Sequence, residues 1–162
     1  DTAFVNDIRA DLHDINTVYI ALDNHKYGDF DPYLLVSHDR GVSWKPITTG
    51  IPEKHLVWRI VQDHVRSGLM FAATEFGVFV TFDGGERWEK LNAGMPTIAV
   101  RDITIQRREN DLIAASFGRG FYVLDDYTFL RDITPEVLNA EAALFKPRDA
   151  DWFFPRSVLG YS

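Results

Sequence analysis

Short runs of β-branched and aromatic residues alternate with polar and turn-forming residues along most of the chain, which predicts an antiparallel meander. The runs fall into three groups of four. The first is Phe4 to Ala10, Thr17 to Leu22, Tyr33 to Ser37 and Ser43 to Ile47. The second is Val57 to Gln62, Leu69 to Thr74, Gly77 to Phe82 and Arg87 to Leu91. The third is Val100 to Gln106, Asp111 to Ser116, Gly120 to Leu124 and Leu130 to Ile133. The pattern then changes. Thr134-Pro135-Glu136 offers a hydroxyl at the N-cap, Pro at the first helical position and an acid in the first turn, which predicts a helix from Pro135 to about Leu144. The apolar Trp152-Phe-Phe-Pro155 is expected to pack as a strip on the last group of strands, or to begin a following domain.

The groups repeat in sequence as well as in pattern. Ser37-His-Asp39-Arg-Gly41-Val-Ser-Trp44 and Thr81-Phe-Asp83-Gly-Gly85-Glu-Arg-Trp88 share Ser/Thr-x-Asp-x-Gly-x-x-Trp, with their Asp and Trp residues each 44 positions apart. Gly50-Ile51-Pro52 recurs as Gly94-Met95-Pro96 at the same interval. A worn third copy, Tyr122-Val-Leu-Asp-Asp126, lacks the glycines and the Trp. A four-stranded unit of about 40–45 residues matches a propeller blade, whereas solenoid repeats of similar length are mostly helical. The expected fold is all-β: a β-propeller fragment of about three four-stranded antiparallel blades with a short C-terminal helix. The expected division is a blade over 4–49, a blade over 50–93, a blade with a degenerate turn motif over 94–133, and a helix and exit segment over 134–162. A closed propeller needs at least about four blades, so the remaining blades are expected from a longer parent chain. The opening Asp1, with neither Met nor an apolar leader, carries the same expectation.

Composition narrows the function classes. At 46% hydrophobic and 14% aromatic residues, the chain can bury a core. Its 17 Lys and Arg against 24 Asp and Glu give a net charge of −7, with no basic cluster for nucleic acid or an anionic membrane surface. The longest apolar run, Gly68 to Phe82, is interrupted by Glu75 and is too short to span a bilayer, which needs about 20 residues. The absence of cysteine removes disulfides and thiolate metal sites.

The Ser37–Trp44 and Thr81–Trp88 segments resemble the Asp-box, or BNR repeat, of sialidases, sortilin-type receptors and other propellers. In such a turn Asp39 or Asp83 accepts hydrogen bonds from turn amides, Gly41 or Gly85 takes a positive φ, and Trp44 or Trp88 covers the hairpin, with Ser37 and Thr81 opening it. These are structural roles, and no catalytic residue is assigned. Asp23-Asn-His-Lys26, Thr74-Glu-Phe-Gly-Val-Phe79 and Phe117-Gly-Arg-Gly-Phe-Tyr-Val-Leu-Asp-Asp126 are similar to segments of large bacterial propeller proteins described as sortilin-like or glycosyl-hydrolase-like. The resemblance covers about residues 4 to 148. It implies an exported protein, secreted or of the cell envelope, in the bacterial periplasm or on the cell surface.

In a meander, the strand 2–3 connections and the links between blades share one face, and the Asp-box turns mark the other. The loop face carries the long Asp23–Pro32 excursion, about eight residues longer than its counterpart at Glu75. Candidate ligand contacts there are His25, Lys26, Asp29, Asp31, His55, Glu75 and Arg119, with Phe76 and Phe117 as apolar platforms. Asp29-Phe-Asp31 has the alternation of a calcium loop but not its remaining ligands, so an ordinary turn is preferred and no metal is assigned. His25 and His55 have no metal-ligand spacing. Glu75 as a glycosidase acid needs a second carboxylate. Arg119 fits a brace to the next blade better than a carboxylate ligand. No cofactor is expected. The leading reading is a non-catalytic module of an exported protein that binds a protein or polysaccharide, or acts as a scaffold. The rivals are part of a sialidase-like glycoside hydrolase completed by blades outside this chain, and a peptidase-associated propeller.

Overall fold

The computed structural model describes residues 3–92 and 94–149, in three antiparallel sheets. The first joins β1 (Phe4–Ala10), β2 (Val18–Asn24), β3 (Asp29–Ser37) and β4 (Lys45–Pro46) in chain order. The second joins β5 (Val57–Gln62), β6 (Met70–Thr74), β7 (Gly77–Thr81) and β8 (Glu89–Lys90) in the same way. The third holds β9 (Val100–Gln106), β10 (Asp111–Ser116) and β11 (Phe121–Leu124), with β10 in the middle. The all-β propeller-type reading therefore stands.

The sheets stack face to face around two apolar layers. Between the first and second lie Tyr19, Leu34, Val36, Ile47, Val57, Ile60, Met70, Ala72, Phe79 and Trp88. Between the second and third lie Leu69, Phe71, Ala73, Val78, Val80, Val100, Ile103, Leu112 and Tyr127. Side chains alternate across a strand, so Met70 and Ala72 serve one layer while Phe71 and Ala73 serve the other. Every residue of β6 and β7 is buried. That is why this part of the sequence reads as one continuous apolar run: a sheet covered on both faces has no polar side.

The two turns that share the sequence motif have the same hydrogen bonds. The Ser37 hydroxyl donates to Asp39 (2.7 Å) and accepts from the Gly41 amide (2.8 Å), and Asp39 accepts from the Ser43 amide (2.8 Å). Thr81 donates to Asp83 (2.6 Å) and accepts from the Gly85 amide (3.0 Å), and Asp83 accepts from the Arg87 amide (3.0 Å). The tryptophans differ. Trp88 is 1% exposed, with its indole N–H on the Ile47 carbonyl (2.7 Å), because the first sheet covers it. Trp44 is 38% exposed and reaches only the Gly41 carbonyl of its own turn (3.1 Å), there being no covering sheet among the described residues.

Three expectations of local structure are corrected. Leu130 to Ile133 is not a fourth strand; Tyr127–Asp132 is a 3₁₀ helix, so the third sheet has three strands among the described residues. The reason lies in the second sheet. Asp63, in the β5–β6 turn and fully buried, accepts from the Tyr127 hydroxyl (2.6 Å) and from Arg131 (2.8 Å), so one carboxylate ties both side chains of the segment to the second sheet. The helix begun at Thr134 stops at Leu138 instead of about Leu144. The Asn139 side-chain amide donates to the Pro135 carbonyl (2.7 Å), and no helix residue is buried, so tertiary packing does not extend it. The Asp23–Pro32 excursion is mostly ladder: Asn24 pairs with Asp29, the turn is the 3₁₀ segment His25–Tyr27 followed by Gly28, and residues 30–32 bulge opposite Asp23. Trp152-Phe-Phe-Pro155 lies outside the described residues.

Candidate site on the loop face

Each innermost strand carries a β-bulge at the same place. Registers skip one residue at Asn6 in β1, at Trp58 in β5 and at Arg101 in β9. A bulge inserts one residue into one strand of a pair and re-aims its side chain. It also puts residues three apart on one face, so Val57 and Ile60 both enter one core layer, and Val100 and Ile103 both enter the other. The matching Val5 and Ile8 of β1 are each 61% exposed. The residues after the bulges form a ladder: Arg59 contacts Asp7 (3.1 Å) and Asp102 (2.9 Å), linking the three innermost strands.

Two of the bulged residues, Trp58 and Arg101, meet on the loop face, while the Asn6 side-chain amide donates to the Val57 carbonyl (2.9 Å). The Trp58 indole N–H donates to Glu75 (3.0 Å), at the tip of the β6–β7 hairpin. The Arg101 guanidinium stacks over the Trp58 ring with its carbon 3.7 Å from the centroid, lies 5.4 Å from the Phe117 ring, and has Nη2 3.6 Å from Glu75. From the first sheet, His25 turns its ring edge-on to Trp58 at 6.1 Å and bonds to the buried carboxylate of Asp23. Side chains of three sheets thus converge on one cation, one acid and a set of aromatic rings.

Of the candidates read from sequence, His25, Glu75 and Phe117 belong to this cluster. Phe76 and His55 form a separate edge-to-face pair at 4.8 Å. Lys26 lies over Phe4 at 4.4 Å. Asp29 is engaged locally, accepting from the Tyr33 hydroxyl (2.6 Å) and the Asp31 amide (3.1 Å); the Tyr33 bond, ahead of the amide, holds its carboxyl below the usual range. Arg119 is exposed and forms no ion pair or hydrogen bond with described residues. No group of three or more His, Asp or Glu side chains among the described residues is placed to hold a metal ion.

Trp58 and Arg101, the centre of the cluster, are absent from the candidates read from sequence. A signal for them exists: Val5-Asn-Asp-Ile8, Val57-Trp-Arg-Ile60 and Val100-Arg-Asp-Ile103 break the strict alternation of a strand in the same way. Two polar or aromatic positions between two core residues mark a bulge, and hence a re-aimed side chain. A separate cavity of about 690 Å³ lies on the opposite face between the first two sheets, rimmed by Asp14, His38, Lys45 and Glu86 over Tyr19 and Ile47.

No protein-family model and no curated protein sequence matches the chain. Solved structures do. An ancestral GH74 enzyme matches over 72% of this chain at 23% identity with a TM-score of 0.57. The fold is that of β-propeller blades. A GH74 xyloglucanase from Xanthomonas campestris matches over 67% at 14% identity (TM-score 0.53), and a GH74 enzyme from Niastella koreensis over 74% at 14% identity (TM-score 0.57). The matches take up 14%, 18% and 21% of those structures, so this chain spans about a fifth or less of the propeller proteins it matches. No helix among the described residues is long and apolar enough to cross a membrane.

Proposed function

We propose that these blades belong to a glycoside-hydrolase-like propeller of an exported bacterial protein and that their loop face binds a polysaccharide. The observation that carries this is the Trp58–Glu75–Arg101 cluster, flanked by the exposed aromatic ring of Phe117. Polysaccharides are bound by apolar ring faces beside a few fixed polar groups. Further blades of a longer parent, of the kind that the matched structures contain, would cover Val5 and Ile8 and extend the face. Hydrolysis needs two carboxylates flanking the scissile bond. Glu75 is part-exposed, whereas Asp23 is 2% exposed and engaged by His25. In this reading a second acid comes from blades outside this chain. A non-catalytic module that keeps the binding face is favoured if the parent has none. The sortilin-like relationship and the Asp-box identity of the two motif turns remain part of the proposal.

Affinity electrophoresis of the chain through gels holding galactomannan, xyloglucan or arabinoxylan tests the reading. At least one gel should retard the chain, and Trp58→Ala should weaken that retardation about tenfold or more. Unretarded migration through all three overturns it.

A further inference from the structure

We infer that Arg101 and Glu75 act as a pair that reads two neighbouring hydroxyls on an uncharged sugar, with Phe117 as the surface on which the ring lies. This rests on the loop face being the polysaccharide-binding surface. One flat side of the Arg101 guanidinium is taken by Trp58 at 3.7 Å, which fixes its plane. Its edges are not taken: it makes no hydrogen bond to a described residue, and Glu75 lies 3.6 Å from Nη2. A guanidinium has five N–H donors in a rigid fork, so Arg101 presents a donor edge whose direction is set before any ligand arrives. Glu75 is complementary. One of its oxygens, Oε2, is held by the Trp58 indole at 3.0 Å, which leaves Oε1 with no donor among the described residues.

A fixed donor edge beside a fixed acceptor oxygen matches a vicinal diol, in which one hydroxyl accepts from the cation and its neighbour donates to the carboxylate. The same pair works against ions. A uronate would bring its charge against Glu75, and an amino sugar would bring its charge against Arg101, so each charged ligand meets one repulsive partner. Phe117, 70% exposed and 5.4 Å from the guanidinium carbon, gives the C–H face of the sugar an apolar support. The three groups come from two sheets, and the Trp58 and Arg101 bulges set their separation.

The test uses the full chain and whichever neutral polysaccharide of the gel panel retards it. That polysaccharide is compared with its own periodate-oxidised, borohydride-reduced form, which loses neighbouring hydroxyl pairs without gaining charge, and with polygalacturonate. The native form should bind at least about tenfold more tightly than the oxidised form, the scale set by losing hydrogen bonds to charged groups. Arg101→Gln should remove most of that preference, while Glu75→Gln should raise binding to polygalacturonate by removing the like charge. Equal binding of the native and oxidised forms, or an unchanged preference in Arg101→Gln at unchanged melting temperature, overturns the inference while the polysaccharide-binding reading stands. Binding to none of the neutral polysaccharides overturns both.

Discussion

Tyr127 donates its phenolic hydrogen to the carboxylate of Asp63 across 2.6 Å, tying the 3₁₀ helix after the third sheet to the β5–β6 turn of the second. Arg131 completes the arrangement with Nη2 2.8 Å from the same oxygen. Asp63 itself is fully buried. Removing its charge while leaving Arg131 in place strands a part-buried cation and an unpaired phenol. Asp63→Ala is expected to destabilise the chain by about 3–5 kcal/mol, read from a urea melt. A cost below 1 kcal/mol would mean that the turn carries no such linkage.

The same carboxylate predicts the acid response. Burial opposes ionisation of Asp63, but hydrogen bonds from Arg131, Tyr127 and the Arg66 and Val65 amides outweigh it and bring its pKa from 3.8 down to about 2. A group with a lowered folded pKa stabilises the fold fully above its unfolded pKa and stops doing so as pH falls through the folded one. Stability should therefore drop between about pH 4 and pH 2, and Asp63→Asn should flatten that part of the profile. An unchanged slope in the variant would assign the acid sensitivity elsewhere.

Equivalent positions of the repeat should differ in what they contribute. Trp88 is sealed between two sheets and Trp44 is 38% exposed, although both end the same motif. Trp88→Ala is expected to cost about 3–5 kcal/mol, the range for deleting a buried aromatic ring. Trp44→Ala should cost about 1 kcal/mol or less. Thermal melts of the two variants side by side check this, and equal losses would contradict the packing described.

Gly50 is expected to tolerate no side chain. Its φ is +93°, and a Cβ would lie 2.1 Å from the Trp88 carbonyl oxygen, in a place where the Trp88 amide already donates to Thr49 (2.8 Å). Gly50→Ala should therefore lower the melting temperature far more than Gly94→Ala, whose added Cβ meets nothing within 4 Å even though its φ is also positive. A smaller loss at Gly50 than at Gly94 would be inconsistent with the close approach.

The bulges offer a test that distinguishes a side chain from a register. Arg101→Ala removes a part-exposed side chain and should cost about 1 kcal/mol or less. Deleting residue 101 instead removes the bulge and leaves Val100 and Ile103 two apart in a regular strand, where alternation still puts both in the same core layer. Both variants should therefore keep the β9 and β10 amides protected in hydrogen exchange while losing the Arg101 contacts to Trp58 and Glu75, and lost protection in the deletion alone would show that the sheet itself depends on the bulge.

The amino-acid sequence by itself determined the strands, their grouping and the two motif turns, because each depends on contacts between neighbours in the chain. Alternation sets which side of a strand is apolar. A hydroxyl, an Asp and a Gly within five residues close a turn wherever they occur, as Ser37–Gly41 and Thr81–Gly85 do. Tertiary structure decided what depends on a neighbouring sheet. Leu130–Ile133 has a good strand pattern, yet burial of Tyr127 against Phe71 and its bond to Asp63, 64 residues away, select a 3₁₀ helix. The candidate site is of the same kind. His25, Trp58, Glu75, Arg101 and Phe117 come from three sheets, and only the stacking of those sheets brings a cation, an acid and aromatic rings within a few ångströms.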